Sequence, residues 1–105
     1  MNTMLDNLGN VMDLVKKVQD IQKDLQCEEV SSSSGDVVTV VVNGQQDVVS
    51  IEINDKYLSP NNKLLLQDLV CATLNQAIAK SRDLNQSAMN KLTNDLNLPH
   101  IPGLF

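Results

Sequence analysis

Residues 37–53 read VVTVVVNGQQDVVSIEI, two runs of β-branched residues joined by a short polar segment. Valine and isoleucine favour strands because their branched side chains pack well on a pleated surface. The Asn43-Gly44 pair between the runs predicts a tight reversal with positive φ angles, and therefore an antiparallel hairpin. Side chains alternate between the two faces of a strand, so every second residue lies on the same face. In the first run one face carries Val38, Val40 and Val42, and in the second run one face carries Val49, Ile51 and Ile53.

The hairpin is preceded by EEVSSSSGD, a segment too polar to continue a helix. We predict that residues 28–32 pair as a short edge strand and that the serines with Gly35 form the following turn. With strands at about 36–43 and 47–54, the result is a three-stranded antiparallel meander. One of its faces is strongly apolar and the other partly so. Three strands cannot bury both faces, so we expect a helix over one face and a partner chain over the other.

Helical periodicity brackets this meander on both sides. Apolar residues at steps of four and three from Met4 to Val18, resuming at Leu25, predict a helix over residues 3–26. Ser59 as N-cap and Pro60 in the first turn predict the start of a second helix over residues 60–97. That helix would be on the order of 50 Å long, whereas a compact chain of this length is roughly 26 Å across. Part of the second helix is therefore expected to project.

The sequence thus predicts an α+β fold, an α-β-β-β-α protomer with the meander between two long helices. A single domain would span residues 1–105, with an irregular tail over residues 98–105. Surplus apolar surface predicts a homodimer. The N-terminus does not read as a signal peptide, and no apolar run is long enough to span a bilayer. These observations favour a soluble, intracellular protein with no membrane partner.

Residues that could carry catalysis are sparse. His100 is the one histidine and lies between two prolines near the C-terminus. Cys71 is predicted to be a buried structural thiol, and Cys27 has no neighbouring base to activate it. No metal-ligand spacing, phosphate-binding loop or nucleophile motif occurs. We therefore expect no enzyme activity, no metal, no cofactor and no small-molecule substrate.

The formal charge of −5, from 13 acids and eight bases, argues mildly against a nucleic-acid partner. All eight bases could be ordinary solubilising charges interleaved with aspartates. One tyrosine and one phenylalanine leave little for base stacking, so any nucleic acid would be a duplex held through its phosphates. The bases on the outer face of the first helix and the distal half of the second are Lys16, Lys17, Lys23, Lys80, Arg82 and Lys91.

Four segments follow one another along the chain: GDVVTVVVNGQQDVVSIEI, LLLQDLVCATLNQAIAKS, AMNKL and a terminal PGLF. In that order and spacing the chain resembles the YbaB/EbfC family of bacterial nucleoid-associated proteins. The resemblance implies a tweezer-shaped homodimer whose sheets form the body and whose helices form arms. It also implies binding of double-stranded DNA with low sequence specificity, a place in the cytoplasm on the nucleoid, and effects on nucleoid organisation and gene expression.

The resemblance also assigns roles to residues. It implies DNA contacts by Lys16, Lys17, Lys23, Lys80, Arg82 and Lys91. It implies a dimer core formed by Val38, Val40, Val42, Val49, Ile51 and Ile53. The alternative function is a protein-interaction adaptor whose helical arms bind another polypeptide while the negative charge repels nucleic acid.

Overall fold

A computed structural model describes the backbone of residues 3–95 and the side chains of residues 11–95. The order of helices and strands confirms the predicted α-β-β-β-α arrangement and its α+β class. The tail predicted for residues 98–105 lies outside the described residues. The elements are α1 Thr3–Cys27, β1 Glu29–Ser34, β2 Val38–Asn43, β3 Val48–Ile53 and α2 Lys63–Asp95.

The three strands form one antiparallel sheet in the order β1-β2-β3, so β2 is central and the other two are edges. The prediction that the serines form a turn is wrong, because β1 runs through Ser34 and pairs with Val38. Two of their hydroxyls find partners on α2, since Ser32 Oγ donates to Gln76 Oε1 at 3.0 Å and the Ser34 hydroxyl is hydrogen-bonded to that of Thr73. Hydrogen bonds to a neighbouring helix thus compensate for the poor strand propensity of serine.

The loop between β2 and β3 also differs from its prediction. The positive φ expected at Asn43-Gly44 is found instead at Gln46, with φ 69°. The Asn43 N–H donates to Asp47 O at 2.9 Å, and the Gln46 N–H donates to Asn43 O at 3.0 Å. This is a three-residue hairpin loop closed by a left-handed residue rather than a two-residue reversal. We refer to residues 43–47 as the β2–β3 turn.

The main core lies between the sheet and α2, which crosses β1 and β2. Val38, Val40 and Val42 are almost completely buried there against Ala77. α2 presents small side chains to the sheet at four-residue spacing, since Thr73, Ala77 and Ser81 are all fully buried. Small residues at helical spacing allow the helix to approach the strands closely, which explains a core without aromatic rings.

A second core cluster joins α1 to the distal half of α2. Leu25, Met89 and Leu92 are buried in it, and Val18 and Ile21 pack around them. The two helices therefore form one helical body beyond the sheet. Because this body extends past the strands, the molecule measures 74 × 22 × 16 Å and its radius of gyration is 19.6 Å. A compact chain of this length would have a radius of gyration of about 13 Å.

The start of the second helical segment follows its prediction. Ser59 Oγ accepts a hydrogen bond from the Asn61 N–H at 3.3 Å, and Pro60 opens a short 3₁₀ turn that leads into α2 at Lys63. The prediction of a buried Cys71 is wrong, because this thiol is exposed on the side of α2 that faces away from the sheet. Within the described residues, no helix is long and apolar enough to cross a membrane.

Candidate nucleic-acid interface

The three bases of α1 have similar surroundings. Lys16, Lys17 and Lys23 are all exposed, and Lys16 and Lys23 lie seven residues apart, so they share one face about two turns apart. Asp13 and Asp20 lie three or four residues from both Lys16 and Lys17, and Asp20 lies three residues before Lys23. At those spacings side chains are neighbours on a helix surface, so the aspartates offset part of the charge of all three lysines. The three lysines are therefore comparable candidates for contact with an anion.

The three predicted DNA-binding bases of α2 differ in their surroundings. Lys80 Nζ donates to the backbone oxygen of Ser31 at 2.7 Å and ties α2 to the edge strand β1. Arg82 is exposed two residues later, which places it on the opposite side of the helix. Lys91 lines a cavity of about 250 Å³ between the helices together with Asp24 and other carboxylates. Of these three bases, Arg82 is thus the one with the fewest protein partners.

Lys56, which was not predicted to contact DNA, forms an ion pair within the protein. Its Nζ lies 2.9 Å from Asp36 Oδ2, and this is the one ion pair among the described side chains. Tyr57 Oη donates to Asp36 Oδ1 at 2.7 Å. The Tyr57 hydrogen bond and the Lys56 ammonium lower the pKa of Asp36, and Asp36 in turn raises the pKa of Lys56. Lys56 and Tyr57 thus bind the Asp36 carboxylate beside the sheet, and the Lys56 ammonium is already paired.

Charge is unevenly divided along the chain. Residues 28–57, the sheet and its connections, hold six acids and one base, a net charge of −5. The remaining residues hold seven acids and seven bases, a net charge of zero. The negative charge of the whole chain thus resides on the sheet segment, and the helical segments carry no net charge that would repel a polyanion. Counting charges by segment would have revealed this division from the sequence alone.

The structure places all six predicted DNA-binding bases on exposed positions of α1 and α2, and their contact with DNA stays a prediction. The second core cluster brings α1 and the distal half of α2 together, so the bases of both helices lie on one body. Within residues 11–95, no group of three or more His, Cys, Asp or Glu side chains could hold a metal ion. What the described residues offer chemically is a set of spaced cations on the two helices.

Two long helices that carry spaced cations beyond a small acidic sheet define a helix-arm α+β protein suited to a polyanionic partner. The sequence profile of the YbaB/EbfC DNA-binding family matches residues 1–96, and the chain belongs to this family. The family description and the names of the relatives point to DNA binding rather than to catalysis.

Individual relatives agree with this assignment. A nucleoid-associated protein of Clostridium kluyveri is 39% identical over 104 residues, which cover 94% of this chain and 89% of the relative. A nucleoid-associated protein of Pelotomaculum thermopropionicum is 38% identical over 105 residues, covering 92% and 97% of the two chains. The crystal structure of an uncharacterized protein, HP0035 from Helicobacter pylori, shares the fold with a TM-score of 0.66 at 24% identity, covering 85% of this chain and 92% of that one.

Proposed function

We propose that this protein is a homodimer that binds double-stranded DNA with low sequence specificity on the nucleoid, in the cytoplasm. The observation that carries the proposal is the division of charge, with exposed bases on the balanced helices and the acidic surplus confined to the sheet segment. Phosphate contacts need exposed cations but no particular base sequence, which fits a low specificity. A role in nucleoid organisation and gene expression would follow from such binding.

The contacts would come mainly from Lys16, Lys17, Lys23 and Arg82, with Lys80 and Lys91 as weaker contributors. The first four are exposed and form no ion pair among the described side chains, so their ammonium and guanidinium groups are available to phosphates. Lys80 donates to a backbone oxygen, and Lys91 lines a cavity together with carboxylates. Each phosphate neutralised by such a base releases condensed counterions, which makes binding salt-dependent.

The homodimer would form through β3. This edge strand exposes Val48, Val49 and Ile51 at 47%, 50% and 45% of their surface. An unpaired apolar edge is a template for another chain, and large apolar side chains on a strand edge are costly to leave in water. Val38, Val40 and Val42 are already covered by α2 of the same chain, and Ile53 is half-buried. Of the residues in the predicted dimer core, Val38, Val40, Val42 and Ile53 would thus pack beneath the interface, inside their own protomer, and Val49 and Ile51 would contact the partner.

The direct test is binding of a short labelled duplex as a function of salt. We expect the logarithm of the association constant to fall linearly between about 50 and 200 mM salt, with a slope of about 0.9 for each phosphate contacted. Lys16→Ala combined with Lys23→Ala should weaken binding and reduce that slope. Lys56→Ala is the matched control, because Lys56 is paired with Asp36. A duplex that stays unbound at the lowest salt would contradict the proposal.

One observation favours the adaptor as a second function. A groove of about 400 Å³ runs between α1 and α2, lined by Leu14, Val18 and Met89, and Met12 is 65% exposed beyond it. Such a groove suits the apolar face of a partner helix. Binding of a polypeptide there would survive high salt and nuclease treatment, whereas the DNA complex would not. The two functions thus predict opposite responses to the same salt series.

A further inference from the structure

The β2–β3 turn holds the last two turns of α1. The Gly44 N–H donates to Leu25 O at 2.8 Å and to Glu28 O at 2.9 Å. Gln45 Nε2 donates to the backbone oxygen of Gln22 at 3.0 Å and lies 3.2 Å from its side-chain Oε1. The last four carbonyl groups of a helix lack their usual partners within the helix, and Leu25 O is one of these in α1, so the Gly44 N–H satisfies a group that water would otherwise bind.

Gly44 is required by its distance from α1. A Cβ atom at this position would lie 2.6 Å from Leu25 O and 2.9 Å from Leu25 Cδ2. The first of these atoms belongs to the backbone of α1, so any larger residue at position 44 would push the helix away from the turn. Gly44 does not have the positive φ that was predicted for it. The glycine is needed for close approach of two backbones.

The same turn is anchored separately on α2. Ser81 Oγ donates to Asn43 O at 2.6 Å, and both residues are buried. Asn85 Nδ2 donates to Gly44 O at 3.3 Å. The turn therefore sits on the middle of α2 through two bonds and carries α1 through its bonds to the other helix. Packing of Leu25 in the second core cluster adds apolar contact, but apolar contact is not directional.

We propose that Gly44 and Gln45 are positioning residues that set the direction in which α1 leaves the sheet, and thereby the placement of Lys16 on a bound duplex relative to the bases of α2. This inference rests on the proposed function. The six residues from Gln22 to Lys16 span about 9 Å of helix, so a tilt of about 10° at the turn moves the Lys16 backbone by about 1.6 Å and the Met12 backbone by about 2.5 Å, whereas Lys23 lies beside the pivot. A displacement of that size changes the position of Lys16 relative to the bases of α2, and with it the fit of Lys16 to a phosphate.

The variants Gln45→Ala and Gly44→Ala test the inference. The first removes the amide donor to α1, and the second inserts a Cβ against Leu25 O. Gln46→Asn is the matched control in the same turn, since Gln46 is exposed and asparagine tolerates its positive φ. Thr73→Ala is the control for lost stability, because Thr73 is buried under the sheet and its hydroxyl is bonded to Ser34 rather than to the turn.

The direction of α1 can be measured by pulsed electron paramagnetic resonance. Spin labels would be placed at Met12→Cys on α1 and Ala79→Cys on α2, two exposed positions, after Cys27→Ser and Cys71→Ser remove the exposed native thiols. Dilution with unlabelled protein restricts the measured distances to one chain. Duplex affinity would be measured on the unlabelled variants at one fixed salt concentration, and melting temperature on all of them.

We expect the distance distribution to shift or broaden in Gln45→Ala and Gly44→Ala, and to stay as in the wild type in both controls. If α1 then holds the binding direction for about a tenth to a third of the time, the apparent Kd rises about 3- to 10-fold, because it varies inversely with the competent fraction. Thr73→Ala should melt at a lower temperature while keeping both the distance distribution and the duplex affinity of the wild type. If the turn acted only through stability, Thr73→Ala would weaken duplex binding as the turn variants do.

Two results would overturn the inference while leaving the proposed function intact. One is a wild-type distance distribution in both turn variants. The other is a changed distribution with duplex affinity equal to that of the wild type. Failure of the wild-type protein to bind any duplex would overturn the proposed function and the DNA half of this inference together, and the distance measurement would still decide whether the turn directs α1.

Discussion

At the scale of single residues, small polar side chains shape the contact between α2 and the sheet. Thr73 and Ser81 are fully buried, and each donates or accepts a hydrogen bond across the contact. Buried hydroxyl groups are tolerated only when they are paired, and every buried side-chain polar atom in the described part of the chain has a partner. The close approach of α2 to the sheet therefore depends on complete pairing of its hydroxyls.

Ser81→Ala should destabilise the protein by about 1 kcal/mol, because it removes a buried hydrogen bond to the Asn43 oxygen, which then keeps only the bond from the Gln46 N–H. Thermal and urea unfolding measure this loss. Ser87→Ala on the exposed face of the same helix controls for the change in helix propensity and should be close to neutral. Equal stabilities of the two variants would show that the Ser81 hydroxyl contributes nothing.

At the scale of elements, the connection from β3 to α2 is fastened to the turn between β1 and β2. Asn54 Nδ2 donates to Asp36 O at 3.0 Å, and Tyr57 and Lys56 hold the Asp36 carboxylate. The Tyr57 hydrogen bond is the main cause that lowers the pKa of Asp36 below its ordinary value of 3.8. Deprotonated Asp36 is thus favoured by the folded state.

Asp36→Asn should therefore lower the melting temperature at pH 7 and have less effect in acid. A group whose pKa is lower in the folded state stabilises that state above its unfolded pKa, and the contribution disappears as pH falls through the lowered value. The difference between wild type and variant should shrink below pH 3.8. Circular dichroism melts at pH 7, 5 and 3 measure it. A difference that stays constant over this range would refute a role for the carboxylate charge.

At the scale of the whole molecule, coverage of the sheet is incomplete. α2 crosses β1 and β2, so β3 keeps an apolar exposed edge, and Leu64 near the start of α2 is 73% exposed. The molecule is elongated, and α1 has few residues in contact with the sheet. A second copy bound at β3 would both cover this surface and double the number of arm cations available to one duplex.

Ile51→Asp should convert the dimer to single subunits, because a carboxylate would be desolvated at the centre of the proposed interface. Sedimentation velocity measures the mass. Ser33→Asp on the opposite edge strand is the matched control and should leave the mass unchanged. The salt slope of DNA binding should fall by about half in the Ile51 variant, since each particle then carries half the phosphate contacts. A wild-type protein that sediments as one subunit would refute the dimer.

Local patterns predicted the order and type of all five long elements. The periodicity from Met4 to Leu25, the cap at Ser59-Pro60 and the alternation within residues 37–53 each belong to a single element, so they are legible before any packing is known. The bases of the candidate site were likewise found on exposed helix faces. Where local polarity was the only guide, as for the serines of β1, the prediction failed because the hydrogen-bond partners of Ser32 and Ser34 lie on α2.

The sequence by itself determined the α-β-β-β-α arrangement and the family to which the chain belongs. Only the tertiary structure decided which valines remain exposed, why position 44 must be glycine, and which lysines are free. The physical reason is that each of these depends on a neighbour distant in sequence. α2 covers Val40 and leaves Val49 open, Leu25 O excludes a side chain at Gly44, and the Ser31 carbonyl engages Lys80.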